Sequence, residues 1–310
     1  MTGIIVIYGL VVAWYIYSDI LEKRTRKHRN YTQKCRPPAL DAEDFVIDGR
    51  KAPISRTDIE EILDRRYPFF RGLAAEDRSR FLLRTERFMR DKVFIVKDDE
   101  AFREMPVLVS ASAVHLTLGM RDYKLPFYRY IRIYPQEYFA GHGFRVLAGN
   151  VEDNTITVAW NHFLQGFHDP RDGSNVGLHE MSHALYIQKM VIDEDHAPTF
   201  GERYRALITE CRTAFDAEMK GHIDLYSDYA TTDMQEFWAE SVELFFEKPG
   251  QLQLKYPAVF RAMKELLNQD PLNAEQPVLH HPRSFRQRML RLSRAFFAGR
   301  VFGPGKAQRA

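Results

Sequence analysis

Residues 177–185 read Gly-Leu-His-Glu-Met-Ser-His-Ala-Leu. The pattern H-E-x-x-H runs from His179 to His183 inside a stretch with helical character. Four residues of helix bring the two imidazoles onto one face, where together they can hold a metal ion. Glu180, beside the first histidine, reaches a water at such an ion as a general base. Val176, Leu178, Ala184, Leu185 and Ile187 surround the pattern with apolar side chains. That makes the helix a buried one, and buried imidazoles need polar or metal partners. A fold carrying this feature must place a second polar element opposite the helix, because two histidines do not complete a catalytic site.

The rest of the chain limits what that partner is. The two cysteines, Cys35 and Cys211, have neither metal-ligand spacing nor the look of a disulfide framework. Histidine and carboxylate therefore supply any ligands, which suits a catalytic zinc with an open position better than a closed structural site. Lysine and arginine number 44 against 42 acidic residues, a formal charge of +2. This balance gives no global electrostatic argument for nucleic acid as a partner. With 45% hydrophobic residues in 310, the chain has enough apolar material for a sizeable core in one or two domains.

Residues 4–18 carry no charge, Asp19 interrupts the apolar run, and Ile20-Leu21 follow it. A basic cluster comes next: Lys23, Arg24, Arg26, Lys27, Arg29, Lys34 and Arg36. A secretory signal has the opposite order, with the basic region first. Residues 1–22 are therefore read as an N-terminal membrane anchor. The basic flank faces the cytoplasm by the positive-inside rule. Residues 23–57, polar and containing Pro37-Pro38, are read as a juxtamembrane segment and linker. Residues 276–310 are a basic tail with Arg283, Arg286, Arg288, Arg291, Arg294 and Arg300.

Between these lies a domain at 58–275. Ile59, Ile62 and Leu63 recur at helical spacing until Tyr67-Pro68. A second helix spans about 75–91, with Phe81, Leu82, Thr85, Phe88 and Met89 as its apolar stripe. Residues 93–96 form a short strand, and 107–118 a buried helix in which His115 is a core or surface histidine rather than a ligand. Strands are expected at 130–134, 144–147 and 155–160, the last two on either side of a turn at Glu152-Asp153-Asn154. Asp172, Ser174 or Asn175 caps the motif helix, which ends around 189–191. His196 lies in an acidic loop and reads as a solvated side chain. A long helix covers 203–220, and another covers 256–267. The pattern is α+β, mostly helical, with a small sheet beside the H-E-x-x-H helix.

The third ligand is sought at 231–246. Asp233 or Thr232 caps a helix there, and Glu236, Glu240 and Glu243 follow at i, i+4 and i+7 along one side. One glutamate can bind a metal while another holds the far nitrogen of a ligand imidazole. Spacing does not choose among the three, and Glu236 is also placed to act in a capping box.

Two composite patterns carry a resemblance. One is Asp169-Pro170, Asp172-Gly173, Asn175 and Leu178-His179-Glu180 with His183. The other is Tyr229-Ala230, Thr232, Glu236-Phe237, Ala239, Glu243 and Phe245-Phe246. Together they resemble the Mlc titration factor A family of bacterial zinc-dependent peptidases, over roughly residues 60 to 272. The family is related in turn to the catalytic domain of anthrax lethal factor. The resemblance implies a zincin-like metallopeptidase fold and one zinc ion held by His179, His183 and Glu236. It gives Glu180 the role of general base and Tyr229 that of oxyanion stabiliser. It places Glu243 behind the ligands. Glu240 matches lethal factor alone.

The implied activity is hydrolysis of peptide or protein substrates. The implied setting is the bacterial inner membrane, with the catalytic domain in the cytoplasm; a wholly cytoplasmic protein is the alternative. A second functional reading is a regulatory protein that sequesters a partner such as a transcriptional repressor, with weak hydrolysis.

Overall fold

The structure, a computed structural model, describes residues 44–47, 50–97, 103–140, 145–193, 198–220, 225–273 and 277–279. The chain divides into two units, Met1–Val278 and Leu279–Ala310. The anchor read at 1–22, most of the linker at 23–57, His196 and the basic tail from 280 onward lie outside the described residues. Among the described residues no helix is long and apolar enough to cross a membrane.

One correction falls on the linker. Its last residues form two strands, β1 (Asp44–Ile47) and β2 (Arg50–Pro53), paired antiparallel. The polar run of β2, Arg-Lys-Ala-Pro, hides its strand character. It sits at the sheet edge, where charge and proline are tolerated because one side of the strand makes no ladder bonds.

Among the described residues the main sheet has six strands in the order β2, β1, β3 (Val93–Val96), β4 (Tyr130–Tyr134), β8 (Thr155–Ala159) and β7 (Gly149–Glu152). Its centre, β3, β4 and β8, is parallel. β7 closes the far edge antiparallel to β8. The turn between them places Asp153 at φ 50°, a conformation Asp tolerates better than most residues. A separate hairpin joins β5 (Tyr138–Ala140) to β6 (Arg145–Leu147).

Helices cover this sheet. α1 (Arg56–Arg66) starts at a capping box in which Ser55 and Asp58 satisfy each other's backbone N–H. α2 (Pro68–Gly72) is a single short turn, and α3 (Ala75–Arg90) buries Phe81, Leu82, Phe88 and Met89. α4 (Glu104–Thr117) is buried at every position from Met105 onward. A helix apolar on all sides belongs in the middle of a domain, and α4 packs between α3 and the motif helix. Each large side chain buried there contributes roughly 1.5–3 kcal/mol.

α5 (Trp160–His168) follows β8, and α6 (Val176–Tyr186) carries the H-E-x-x-H pattern. The helical run continues as a π-helical segment over Ile187–Ile192, ending close to the expected stop but with a widened last turn. α7 (Pro198–Met219), α8 (Met234–Glu247), α9 (Pro249–Lys255) and α10 (Pro257–Leu267) complete the domain. The left-handed backbone of Asn268 ends α10. α6 is wedged between α4, α8 and the β7–β8 edge, so the motif faces both the carboxylate helix and the sheet edge.

Candidate metal centre

Of the three possible caps for α6, Asn175 takes the role. Its Oδ1 accepts the Leu178 N–H at 3.0 Å. With the helix start fixed, His179 and His183 project together, and their Nε2 atoms lie 3.2 Å apart. α8 starts at Asp233, whose Oδ1 accepts the N–H groups of Gln235 and Glu236 at 2.7 and 3.0 Å. This leaves the Glu236 side chain free of the cap. Its Oε2 lies 3.0 Å from His179 Nε2 and 3.5 Å from His183 Nε2.

The two helices are fastened by buried contacts. Trp238 Nε1 donates to Ser182 O at 3.1 Å, giving the indole the partner a buried Trp needs. On the other side of His179, Glu243 Oε1 meets Nδ1 at 2.6 Å. A carboxylate is an acceptor only, so it keeps a proton on Nδ1 and leaves Nε2 turned toward Glu236. Glu243 Oε2 in turn accepts the backbone N–H of Asn175. Nε2 faces a second acceptor, the Glu236 carboxylate, and so calls for a positive charge there, a proton or a metal ion. A metal ion can take the place of that proton, and one atom from each of His179, His183 and Glu236 lies within 4.8 Å of the others. The residues fit a metal ion.

The electrostatics agree. Burial disfavours a charged His179, but Glu236 and Glu243 outweigh it and hold its pKa well above the usual value. Burial also works against the Glu236 carboxylate, yet the two imidazoles hold its pKa well below the ordinary range. The carboxylates thus favour a positive charge, a proton or a metal ion, where these three atoms converge.

Glu180 is only 6% exposed, and burial pushes its pKa up to about 7. Its Oε2 has no hydrogen-bond partner among the described residues. The carboxylate lies over the first residue of β7, where a Cβ on Gly149 would collide with it. Glycine leaves room for this close approach; a methyl there displaces the Glu180 side chain. Glu180, His179 and Tyr229 line one cleft of about 1070 Å³, together with Val146 and Leu147 of β6. Tyr229 is 59% exposed; burial of its inner part and the nearby Glu236 push its pKa up to about 12.

Glu240 sits apart from the imidazoles. It accepts the Ser227 N–H at 2.6 Å and the Ser227 hydroxyl at 2.7 Å, fastening the loop that carries Tyr229. Two contributors were not singled out from the sequence. Gly149 had no signal, since its need for glycine arises only from contact with Glu180. Glu247 continues the series 236, 240, 243 by another four residues and was open to detection. It accepts Asn175 Nδ2 at 2.9 Å and the Gly173 N–H at 3.0 Å. His115, expected to be a core or surface histidine, is buried away from the ligands.

Comparison with known proteins agrees with this class of site. Residues 48–267 match the glucose-regulated metallo-peptidase M90 family, and the chain belongs to that family of metallopeptidases. The chain is also similar to the uncharacterized protein slr2042 of Synechocystis sp., at 23% identity over 233 residues. That match covers 69% of this chain and 84% of the relative.

Proposed function

We propose that the chain is a zinc-dependent metallopeptidase of zincin-like fold, with His179, His183 and Glu236 as ligands. The observation that carries the reading is the convergence of these three ligand atoms beside a buried, unpartnered Glu180 carboxylate in an open cleft. Bound there, zinc contributes Lewis acidity, which acidifies a water and favours negative charge on a substrate carbonyl oxygen. Glu180 accepts the proton of the attacking water and delivers it to the leaving amine. A carboxyl with a pKa raised toward neutrality is suited to both transfers. Tyr229 stays protonated over the working pH range and donates a hydrogen bond to the developing oxyanion. Glu243 holds His179 in the tautomer that offers its lone pair to the ion. Glu240, through Ser227, steadies the Tyr229 loop.

A purely sequestering protein has no use for a buried carboxylate with an unpartnered oxygen, which costs stability. This favours hydrolysis over the regulatory-binding role. In the same proposal residues 1–22 anchor the peptidase in the inner membrane, and the basic cluster after them keeps the catalytic domain on the cytoplasmic side.

The test is digestion of a peptide library by the wild type and by Glu180→Gln, with zinc content measured on both. Cleavage by the wild type alone, at equal zinc content, is the expected result. Full cleavage by Glu180→Gln would overturn the mechanism. Zinc far below one equivalent in both proteins would overturn the ligand set.

A further inference from the structure

α8 runs along the cleft that holds His179 and Glu180. Asp233, which caps the start of the helix, and Lys248, which follows its last turn, both line that cleft. Glu236 stands near the first end. Lys248 is the one lysine or arginine among the described lining residues, and the proposed hydrolysis has no use for it.

Six carboxylates share the cleft with this lysine, yet each is committed elsewhere. Glu236 and Glu243 meet His179, and Glu240 accepts from Ser227. Asp233 caps α8, Asp172 accepts the Ser174 N–H at 2.8 Å, and Glu180 is buried against Gly149. Glu247, the next residue along, accepts from Asn175 and Gly173. The Lys248 ammonium has no hydrogen bond or ion pair among the described residues, and it is not shut off from solvent. Its position is nonetheless defined. The side chain is half-buried and lies across Gly173, where a Cβ would come within 3.1 Å of Cδ, Cε and Nζ. The loop before the motif helix is bare at that point, so the stem rests on the cleft wall. A cation held partly out of water without a counter-ion attracts an anion more strongly than one on the open surface.

We infer that Lys248 is a specificity determinant of the proposed peptidase, its ammonium binding a carboxylate of the substrate some residues away from the bond that is cut. This deepens the metallopeptidase reading and rests on it. The spacing follows from the helix. Twelve positions separate Glu236 from Lys248, roughly 18 Å of helix. An extended peptide covers such a span in about four to six residues. The group recognised is an Asp or Glu side chain, or a free C-terminus, at that distance.

The experiment is digestion of a peptide library by the wild type, Lys248→Met and Lys248→Glu. Met keeps the stem over Gly173 and removes the charge; Glu reverses it. Peptides cut by the wild type are expected to be enriched about three- to fivefold for Asp, Glu or a free C-terminus at one position about four to six residues from the cut, the effect of one partly exposed ion pair. Lys248→Met should lose the enrichment, and Lys248→Glu should turn it toward Lys and Arg. On one acidic peptide from the library, Lys248→Met should raise KM about three- to fivefold with kcat and Tm near wild type, whereas a damaged fold lowers both. Replacing the acidic side chain by Gln, or amidating the C-terminus, should raise the wild-type KM to the same extent and tells which carboxylate is bound. Wild-type cleavage without an acidic preference, or an unchanged preference in Lys248→Glu, would overturn this inference and leave the peptidase reading standing. No cleavage by the wild type would overturn both.

Discussion

Glu243 grips His179 through one oxygen, 2.6 Å from Nδ1, and the N-terminal residue of the same helix through the other. One carboxylate therefore holds both the Nδ1 side of a proposed ligand and the start of the helix that presents it. Glu243→Gln keeps the shape but loses the charge, and turns an amide N–H toward either His179 or the Asn175 N–H. Zinc affinity is expected to fall about 10–100-fold. Competition against a chromophoric chelator measures it, and circular dichroism checks that the helices persist. Wild-type affinity would contradict the role.

The long-range logic of this site was only partly legible in the sequence. Helical periodicity located α1, α3, α6, α8 and α10, because an amphipathic stripe is written locally. The strands at 93–96, 130–134 and 155–159 were readable from their β-branched and aromatic runs. β1 and β2 were not, since Arg50 to Pro53 derives its strand geometry from pairing rather than from its own composition. The histidine pair was explicit. Choosing Glu236 over Glu240 required knowing which turn of α8 faces α6, a tertiary fact that spacing does not contain. Gly149 illustrates the limit: its importance lies wholly in a contact with a residue 31 positions away along the chain.

That contact predicts the behaviour of Gly149→Ala. The added methyl must push the Glu180 carboxylate off β7 or move the edge strand. Turnover is expected to drop roughly 10²-fold, the cost of a catalytic group displaced by about an ångström. Zinc content should not change, because none of the three ligands touches Gly149. Stability falls by ~1–3 kcal/mol from overpacking. Parallel measurement of kcat, metal content and denaturant midpoint separates these effects. Unaltered kcat would show that the close approach has no catalytic consequence.

Tyr229→Phe removes a hydroxyl from an exposed ring and leaves the fold alone. Stability should stay within ~0.5 kcal/mol of wild type. If the hydroxyl donates to the oxyanion, kcat falls by about 10²–10³ with little change in KM, because the bond is made only as charge develops. Steady-state kinetics on a single cleaved peptide decides it. A loss confined to KM would assign Tyr229 to substrate binding instead.

Glu247 predicts how stability varies with pH. Burial, then the neighbouring Asp172 and Glu243 charges, push its pKa up to about 8 from an ordinary 4.5. The folded state therefore holds a proton that the unfolded chain has released between these two values. Stability from this group is complete below pH 4.5 and is lost as pH rises through 8, by at most roughly 5 kcal/mol. Glu247→Gln imitates the protonated form, so its stability should lose less than the wild type between pH 5 and 9. Urea midpoints at several pH values test the sign. Parallel curves for the two proteins would mean that Glu247 titrates normally in the fold.

Metal removal should expose how far the ion holds α6 and α8 together. Without a metal ion, the Glu236 carboxylate is left to the protonated His179 imidazole, and the polar contacts between the helices are that pair, Trp238 and Glu243. A ligand that binds only the folded state adds ~2.7 kcal/mol at 100 times its Kd. For a domain of this size that corresponds to roughly 5–10 °C in Tm. Chelator treatment is expected to lower Tm by that amount, and added zinc to restore it. His183→Ala leaves two ligands in place of three. Its Tm should therefore respond weakly to either treatment, whereas a full response in this variant would place the ion elsewhere.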